Sequence, residues 1–234
     1  MKGWLVPPPH ETVKSEEDFK REREAKVCRL MREGYLRSPR IRNAMLRVRR
    51  EDFIPGPYRD YAYQEVPLPL PGMEATISCP HSYPLFYEPL GLDEGDRFLE
   101  IGLGSGYGTA LAREIVGDDG LVVSLEIDPA TFEFAKGNLG RAGYRDIVLV
   151  LVDGGAGYPP LAPYDRICIT AACHEVPPPL TDQLRAGGTL IAPIEVRDVQ
   201  TLTLLEKSEG GLTVRPICEV RYVSLRGTYG LGGP

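Results

Sequence analysis

Four glycines alternate through the stretch FLEIGLGSGYGTALA, residues 98–112: Gly102, Gly104, Gly106 and Gly108. Glu100 heads this run and Ser105 stands inside it. Glycine spacing of this kind makes a tight turn whose backbone N–H groups can approach a ligand closely. A dinucleotide turn is written G-x-G-x-x-G, with the third glycine letting helix and strand pack together. Here Tyr107 occupies that third position, and the pattern is acid-x-G-x-G-x-G. A dinucleotide, another adenosine-bearing cofactor and a tight turn without a ligand are the readings to weigh. Two further acids stand where such a ligand would need them. Glu126, followed by Ile127, ends the apolar run in SLEIDP. An acid about 20 residues beyond a glycine turn accepts hydrogen bonds from ribose hydroxyls. Asp153-Gly154 closes a later apolar run. A carboxylate there can meet the exocyclic amine of adenine, although Asp-Gly is also an ordinary turn.

The elements that must position these residues are legible on either side. RFLEI, LVVSLEI, DIVLVLVD, YDRICITAA and GGTLIAPIE read as short buried strands. Helical text follows the first two, and a shorter helix around PPLTDQL precedes the last. Near-continuous apolar strands alternating with helices predict a doubly wound, mostly parallel α/β sheet covered on both faces. QTLTLLEKS and LTVRPICEVRYVSLRG alternate like antiparallel strands added at the C-terminal end. Before the sheet, Ser15 and Asp18 resemble a capping box that opens a charged helix, with Gly34 as its stop. A second helix follows Pro39. Residues 55–89 are rich in proline and poor in helical period, and predict an irregular segment covering something. These boundaries give a flexible stretch at 1–14 and one domain at 15–234. Within it, 15–92 is the helical and covering part, and 93–234 the cofactor-binding core with the C-terminal strands.

Bulk properties narrow the function. The chain has 234 residues, 27 Lys and Arg against 33 Asp and Glu, and a net charge of −6. That balance disfavours a general nucleic-acid binder, whose footprint is basic. No apolar run is long enough to span a bilayer. Five scattered cysteines without CxxC spacing indicate neither a zinc site nor a disulfide framework, and point to reduced thiols in the cytoplasm. A metal ligand set is not indicated.

The acid-x-G-x-G-x-G run resembles motif I of the Rossmann-like methyltransferases that use S-adenosyl-L-methionine (SAM). More specific text surrounds it: AMLRVRREDFIP, AY-x-x-x-PLP, ATIS-x-PH, LEIG-x-GSGY, APYDRI, TAA, VP-x-x-L-x-x-QL-x-x-GG and a late VRYV-x-L. In this order they resemble the protein-L-isoaspartate O-methyltransferase family over most of the chain. Four positions depart from the family's usual text. Val152 precedes Asp153-Gly154 where glycine is usual, and Glu195 follows Pro193-Ile194 where glycine is usual. Ser224 stands between Val223 and Leu225 in place of proline, and Arg49 precedes Arg50-Glu51 in place of proline.

The resemblance implies transfer of the SAM methyl group to the free α-carboxylate of L-isoaspartyl residues in damaged proteins, leaving S-adenosylhomocysteine. The ester then converts through a succinimide. Thr76, Glu100, Gly102, Gly104, Ser105, Gly106, Glu126, Ile127, Asp153 and Gly154 would hold the cofactor. Ser78 would position the acceptor, and Val223, Ser224 and Leu225 would contact the peptide. A carboxylate of ordinary pKa is ionised at neutral pH, so it needs no general base. The enzyme would act as a monomer with no nucleic-acid or membrane partner. A carboxyl methyltransferase of the same fold acting on a different peptide or a small molecule is the alternative.

Overall fold

The computed structural model describes residues 6–72 and 75–230. A seven-stranded sheet runs through the molecule in the order β5-β4-β3-β6-β7-β8-β9. Its strands are β3 (Arg97–Ile101), β4 (Leu121–Glu126), β5 (Val148–Leu151), β6 (Tyr164–Ile169), β7 (Leu184–Val196), β8 (Val199–Ser208) and β9 (Gly211–Val220). Pairing is parallel from β5 through β7 and antiparallel for the hairpins β7–β8 and β8–β9. This is the expected α/β architecture with antiparallel C-terminal strands.

Alternation along the strands divides the core in two. Phe98, Val122, Cys168 and Ile191 face one hydrophobic cluster, while Leu99, Val123, Ile167 and Leu190 face the other. Successive side chains of a strand point to opposite faces, so both faces must be covered. The first cluster is completed by α1 (Glu16–Arg32), α2 (Pro39–Arg47), α3 (Ser82–Leu90), α4 (Tyr107–Val116) and α5 (Pro129–Arg141). Leu180 of α6 (Pro178–Gln183) joins the second.

Helix α1 begins on the expected box: the Ser15 side chain accepts from the Asp18 N–H, and Asp18 accepts from the Ser15 N–H in return. Gly34 stops it at φ +81°. Two expectations change. First, α3 lies inside the stretch read as irregular. Its prolines hid it: Pro84 sits in the first turn, where an N–H has no intrahelical partner, and Pro89 sits in the last. Second, β9 ends at Val220, so Val223, Ser224 and Leu225 do not continue it. Instead Ser224 forms a parallel bridge to Ala172, just beyond β6.

Residues 6–14 carry no regular structure but lie against residues 56–61. The His10 N–H donates to the Pro57 carbonyl, the Val13 N–H to the Asp60 carboxylate, and the Tyr61 hydroxyl to the Pro8 carbonyl. Residues 1–5 of the expected flexible stretch lie outside the described residues. A two-stranded ribbon, β1 (Leu68–Pro69) and β2 (Thr76–Ile77), brings the segment before α3 over the carboxyl end of the sheet.

Candidate active site

The carboxyl ends of β3 and β4 meet the β1–β2 ribbon and the C-terminal segment around one cavity. Its wall includes Thr76, Ser78, Glu100, Gly102, Gly104, Ser105, Glu126, Ile127, Gly154, Val223, Ser224 and Leu225. A crevice outside the carboxyl ends of parallel strands is where this architecture binds ligands. Most of the residues singled out in the sequence therefore converge. Gly106 and Asp153 do not reach the wall.

Each glycine of the turn has its own reason. A Cβ on Gly102, at φ +99°, would lie 2.2 Å from the Thr170 hydroxyl oxygen. That hydroxyl donates to the carbonyls of Ile101 and Gly102. Gly106, at φ +83°, precedes α4 and would press on the Leu139 side chain. Gly108 would come 2.7 Å from Glu100 Oε1. Only at Gly104, φ +55°, does space remain: the nearest atoms to a Cβ there are Leu70 Cδ1 at 3.9 Å and the Thr76 carbonyl at 4.0 Å. Three of the glycines thus admit the protein's own atoms, and one leaves room between the turn and the ribbon.

Two carboxylates in the wall are held by different partners. Glu100 is 2% exposed. One of its oxygens, Oε2, accepts from the hydroxyls of Thr109 and Ser124. Burial pushes its carboxyl up to about 7, against those two bonds, and the nearby Glu126 charge adds to the rise. Glu126 instead gathers backbone donors. Its Oε1 accepts from the N–H groups of Ile127 and Asp128 at 2.9 and 3.0 Å, and its Oε2 from that of Gly104 at 3.2 Å. Glu126 therefore ties the end of β4 to the glycine turn, while its remaining lone pairs stay available to a ligand.

Asp153 has another occupation. Its carboxylate accepts from the N–H of Gly155 at 2.9 Å and from that of Thr228 at 2.7 Å. The C-terminal segment covers it so closely that a Cβ on Gly227 would collide with the carboxylate. Sequence spacing placed this acid at a strand end; each of its oxygens already holds one backbone N–H, Oδ2 that of Thr228 from 75 residues away.

Ser78 is half-buried, follows β2 and lines the cavity. Its carbonyl accepts from Arg50 Nη2 at 2.7 Å. Arg50 is 1% exposed, also donates to the Ala62 carbonyl, and lies over the rings of Tyr83 and Tyr107. One guanidinium thus joins the loop of Ser78 to the start of α4. The sequence offered Arg50 only as part of a matching segment, with no signal of this role. Beyond Ser78 opens a second cleft, lined by Tyr35, His81, Leu85, Ile217, Glu219 and Tyr222 among others. Ser78 and Tyr222 are the two residues common to both linings.

His81 Nδ1 meets Glu65 Oε2 at 2.7 Å. Lys26 Nζ donates to the other Glu65 oxygen at 2.8 Å. Burial would raise the Glu65 carboxyl, but its bonds to His81 and Lys26 bring it down to about 2. Cys79 completes a cluster of possible metal donors with these two. Lys26 already balances the carboxylate there. All five cysteines are free thiols, and no described helix is long and apolar enough to cross a membrane.

Comparison with known proteins places these features in one family. The family model described as protein-L-isoaspartate(D-aspartate) O-methyltransferase matches residues 21–230. A protein-L-isoaspartate O-methyltransferase from Hyperthermus butylicus is 44% identical over 227 residues, covering 93% of this chain and 94% of its own. One from Methanopyrus kandleri is 46% identical over 194 residues, covering 82% and 85%. Among solved structures, a protein-L-isoaspartate O-methyltransferase superposes with TM-score 0.81 at 35% identity, over 89% of this chain and 67% of that one. A Plasmodium falciparum structure described as this methyltransferase in complex with S-adenosyl-L-homocysteine gives TM-score 0.79 at 26% identity, over 87% and 98%.

Proposed function

This chain belongs to the protein-L-isoaspartate O-methyltransferase family, and from that premise we propose how its residues divide the reaction between two adjoining pockets. The protein is a SAM-dependent repair methyltransferase that esterifies the free α-carboxylate of L-isoaspartyl residues, after which the ester converts through a succinimide. The observation that carries the division of labour is the pair Ser78 and Tyr222, which line the cofactor cavity and the second cleft alike.

The cavity fits SAM by its donor set. Glu100 Oε1, left free of the Thr109 and Ser124 hydroxyls, suits an ammonium group. Glycine-turn N–H groups suit a carboxylate. Glu126 suits ribose hydroxyls, with Ile127 and Gly154 beside it and Thr76 closing the ribbon side. The opening at Gly104 is the space that a side chain would remove. When bound, SAM supplies a methyl group already activated on a sulfonium.

What remains for the protein is placement and exclusion of water. The Ser78 hydroxyl donates to the acceptor carboxylate and holds it at the junction of the two pockets. No base is required, because that carboxylate is already ionised at neutral pH. Arg50 fixes the Ser78 backbone. The peptide on either side of the isoaspartyl residue lies in the second cleft and reaches past Tyr222 to Val223, Ser224 and Leu225, which line the cofactor cavity. Asp153 acts from behind the wall, by holding the C-terminal segment down. The reading of residues 15–234 as one domain is supported, among the described residues, by a core that α1, α2 and α3 share with the sheet. The net charge of −6 supports a monomer without a general nucleic-acid partner, the free thiols support the cytoplasm, and no described helix is long and apolar enough to cross a membrane.

The test is the initial rate of methanol-releasable methyl incorporation into an isoaspartyl peptide and its aspartyl isomer. Strong preference for the isoaspartyl form is expected. Equal rates, or no rate with SAM bound, would transfer the reading to a small-molecule carboxylate.

A further inference from the structure

Glu195 stands where the family usually has glycine, and the fold gives it a partner. It lies opposite Gln200 across the β7–β8 hairpin. Its Oε2 accepts from Gln200 Nε2 at 2.8 Å. The same amide grips the backbone of Tyr222. The Tyr222 N–H donates to Gln200 Oε1 at 2.6 Å, and Gln200 Nε2 donates to the Tyr222 carbonyl at 3.2 Å. β9 has already ended two residues earlier, at Val220. The Gln200 side chain therefore does for Tyr222 what a neighbouring strand would do.

We propose that Glu195 is a positioning residue that, through Gln200, sets the Tyr222 wall between the two pockets and with it the affinity for peptide. A primary amide can face a partner in two ways, related by a flip. An ionised carboxylate only accepts hydrogen bonds, so Glu195 allows just one of them. With Nε2 turned toward Glu195, Oε1 is aimed at the Tyr222 N–H. The flipped amide would put oxygen against carboxylate and N–H against N–H. The Tyr222 N–H and carbonyl favour the same orientation, and glycine at 195 removes the carboxylate's share of that selection.

Tyr222 is a part of the wall where a small shift matters. Its ring packs edge-on against Phe86 at 5.2 Å, and it lines both pockets. The next residues are held from the other side: the Ala172 N–H donates to the Val223 carbonyl, and the Leu225 N–H donates to that of Ala172. Gln200 and Ala172 are thus successive anchors of one segment, and Glu195 governs the first. Glu195 and Gln200 are both only half-buried, so their replacement is compatible with folding.

This inference rests on the peptide occupying the second cleft, and two measurements separate it from that reading. The first needs no substrate. Amide hydrogen exchange at Tyr222 should quicken about tenfold in Glu195→Ala and further in Gln200→Ala, with the melting temperature nearly unchanged. Unaltered exchange at Tyr222 in Glu195→Ala overturns the relay. The second is steady-state kinetics with the isoaspartyl peptide. Glu195→Ala should raise KM for the peptide about fivefold while SAM affinity stays within about twofold. Adding Glu195→Ala to Gln200→Ala should change nothing further, because the carboxylate acts only through the amide. Independent, additive effects of the two substitutions overturn the proposal. Glu195→Gln keeps a side-chain acceptor and should restore much of the peptide affinity, which a merely structural loss would not predict.

Discussion

The two ends of the cleft are assembled from different kinds of neighbours. At the end assigned to the cofactor, Glu100 accepts from Thr109 and Ser124, and Glu126 accepts from the Gly104 N–H, all within a single strand–helix–strand unit. At the acceptor end, Ser78 depends on Arg50, Tyr222 on Gln200, and Val223 and Leu225 on Ala172. The first set is rigid because adjacent parallel strands fix it. The second is a meeting of the N-terminal third, the loop beyond β6 and the C-terminal segment. A family can keep one cofactor turn and vary the acceptor wall, since substitutions there leave the turn's own hydrogen bonds intact.

The largest effect should come from breaking the rigid end. Gly102→Ala combines a left-handed φ with a 2.2 Å approach to Thr170. A loss of about 3 kcal/mol is expected, or roughly 10 °C in melting temperature. Thermal melts check it. Adding Thr170→Ala should recover part of that loss by removing the collision but not the backbone strain.

The acceptor end should fail without the cofactor end noticing. Ser78→Ala is expected to lower kcat by about 10- to 100-fold, the worth of a hydrogen bond to a charged group, with SAM affinity within about twofold. Single-turnover kinetics and calorimetry on the same variant separate the two. An unchanged rate with a lower melting temperature would reduce Ser78 to a structural residue.

Glu126→Ala is the converse experiment. SAM affinity should fall by about tenfold, from lost ribose acceptors and a loosened Gly104 turn. Peptide KM measured at saturating SAM should hardly move.

A smaller effect sharpens the electrostatics of the cofactor end. Burial holds the Glu100 carboxyl at about 7 in the free protein, so it is largely neutral below that pH. An ammonium ligand needs the carboxylate. SAM affinity should therefore rise with pH through about 7 and level off above, by about tenfold between pH 6 and 8. Stability of the free protein runs the other way: the raised folded value means that this group's contribution is fully present below the ordinary carboxylate range and is lost as pH rises through about 7. Glu100→Gln should flatten both profiles, as titration calorimetry and melting at several pH values would record. The smallest change is expected at Asp153→Asn. Its oxygens serve Gly155 and Thr228, so SAM affinity should stay within about threefold.

The sequence by itself determined the sheet and the cofactor end. Strand and helix periods, the Ser15 capping box and the alternating glycines act over a few residues to one strand–helix–strand unit, and such short-range chemistry is written in order along the chain. Ser78 was marked by the resemblance that ATISCPH carries, not by spacing or composition. Tertiary structure decided what each residue does. Thr170 and Leu139 approach so closely, at backbone of positive φ, that glycine is needed at 102 and 106. Thr228 engaged one oxygen of Asp153, and Ala172 drew Ser224 out of the line of β9. Helix α3 formed through two prolines because both fall near its ends and its buried face packs on the core. Arg50 and Glu195 gained roles only when distant backbone came within reach of their side chains. A side chain's donors and acceptors are fixed by its type, but which partner satisfies them depends on how segments far apart in sequence are packed together.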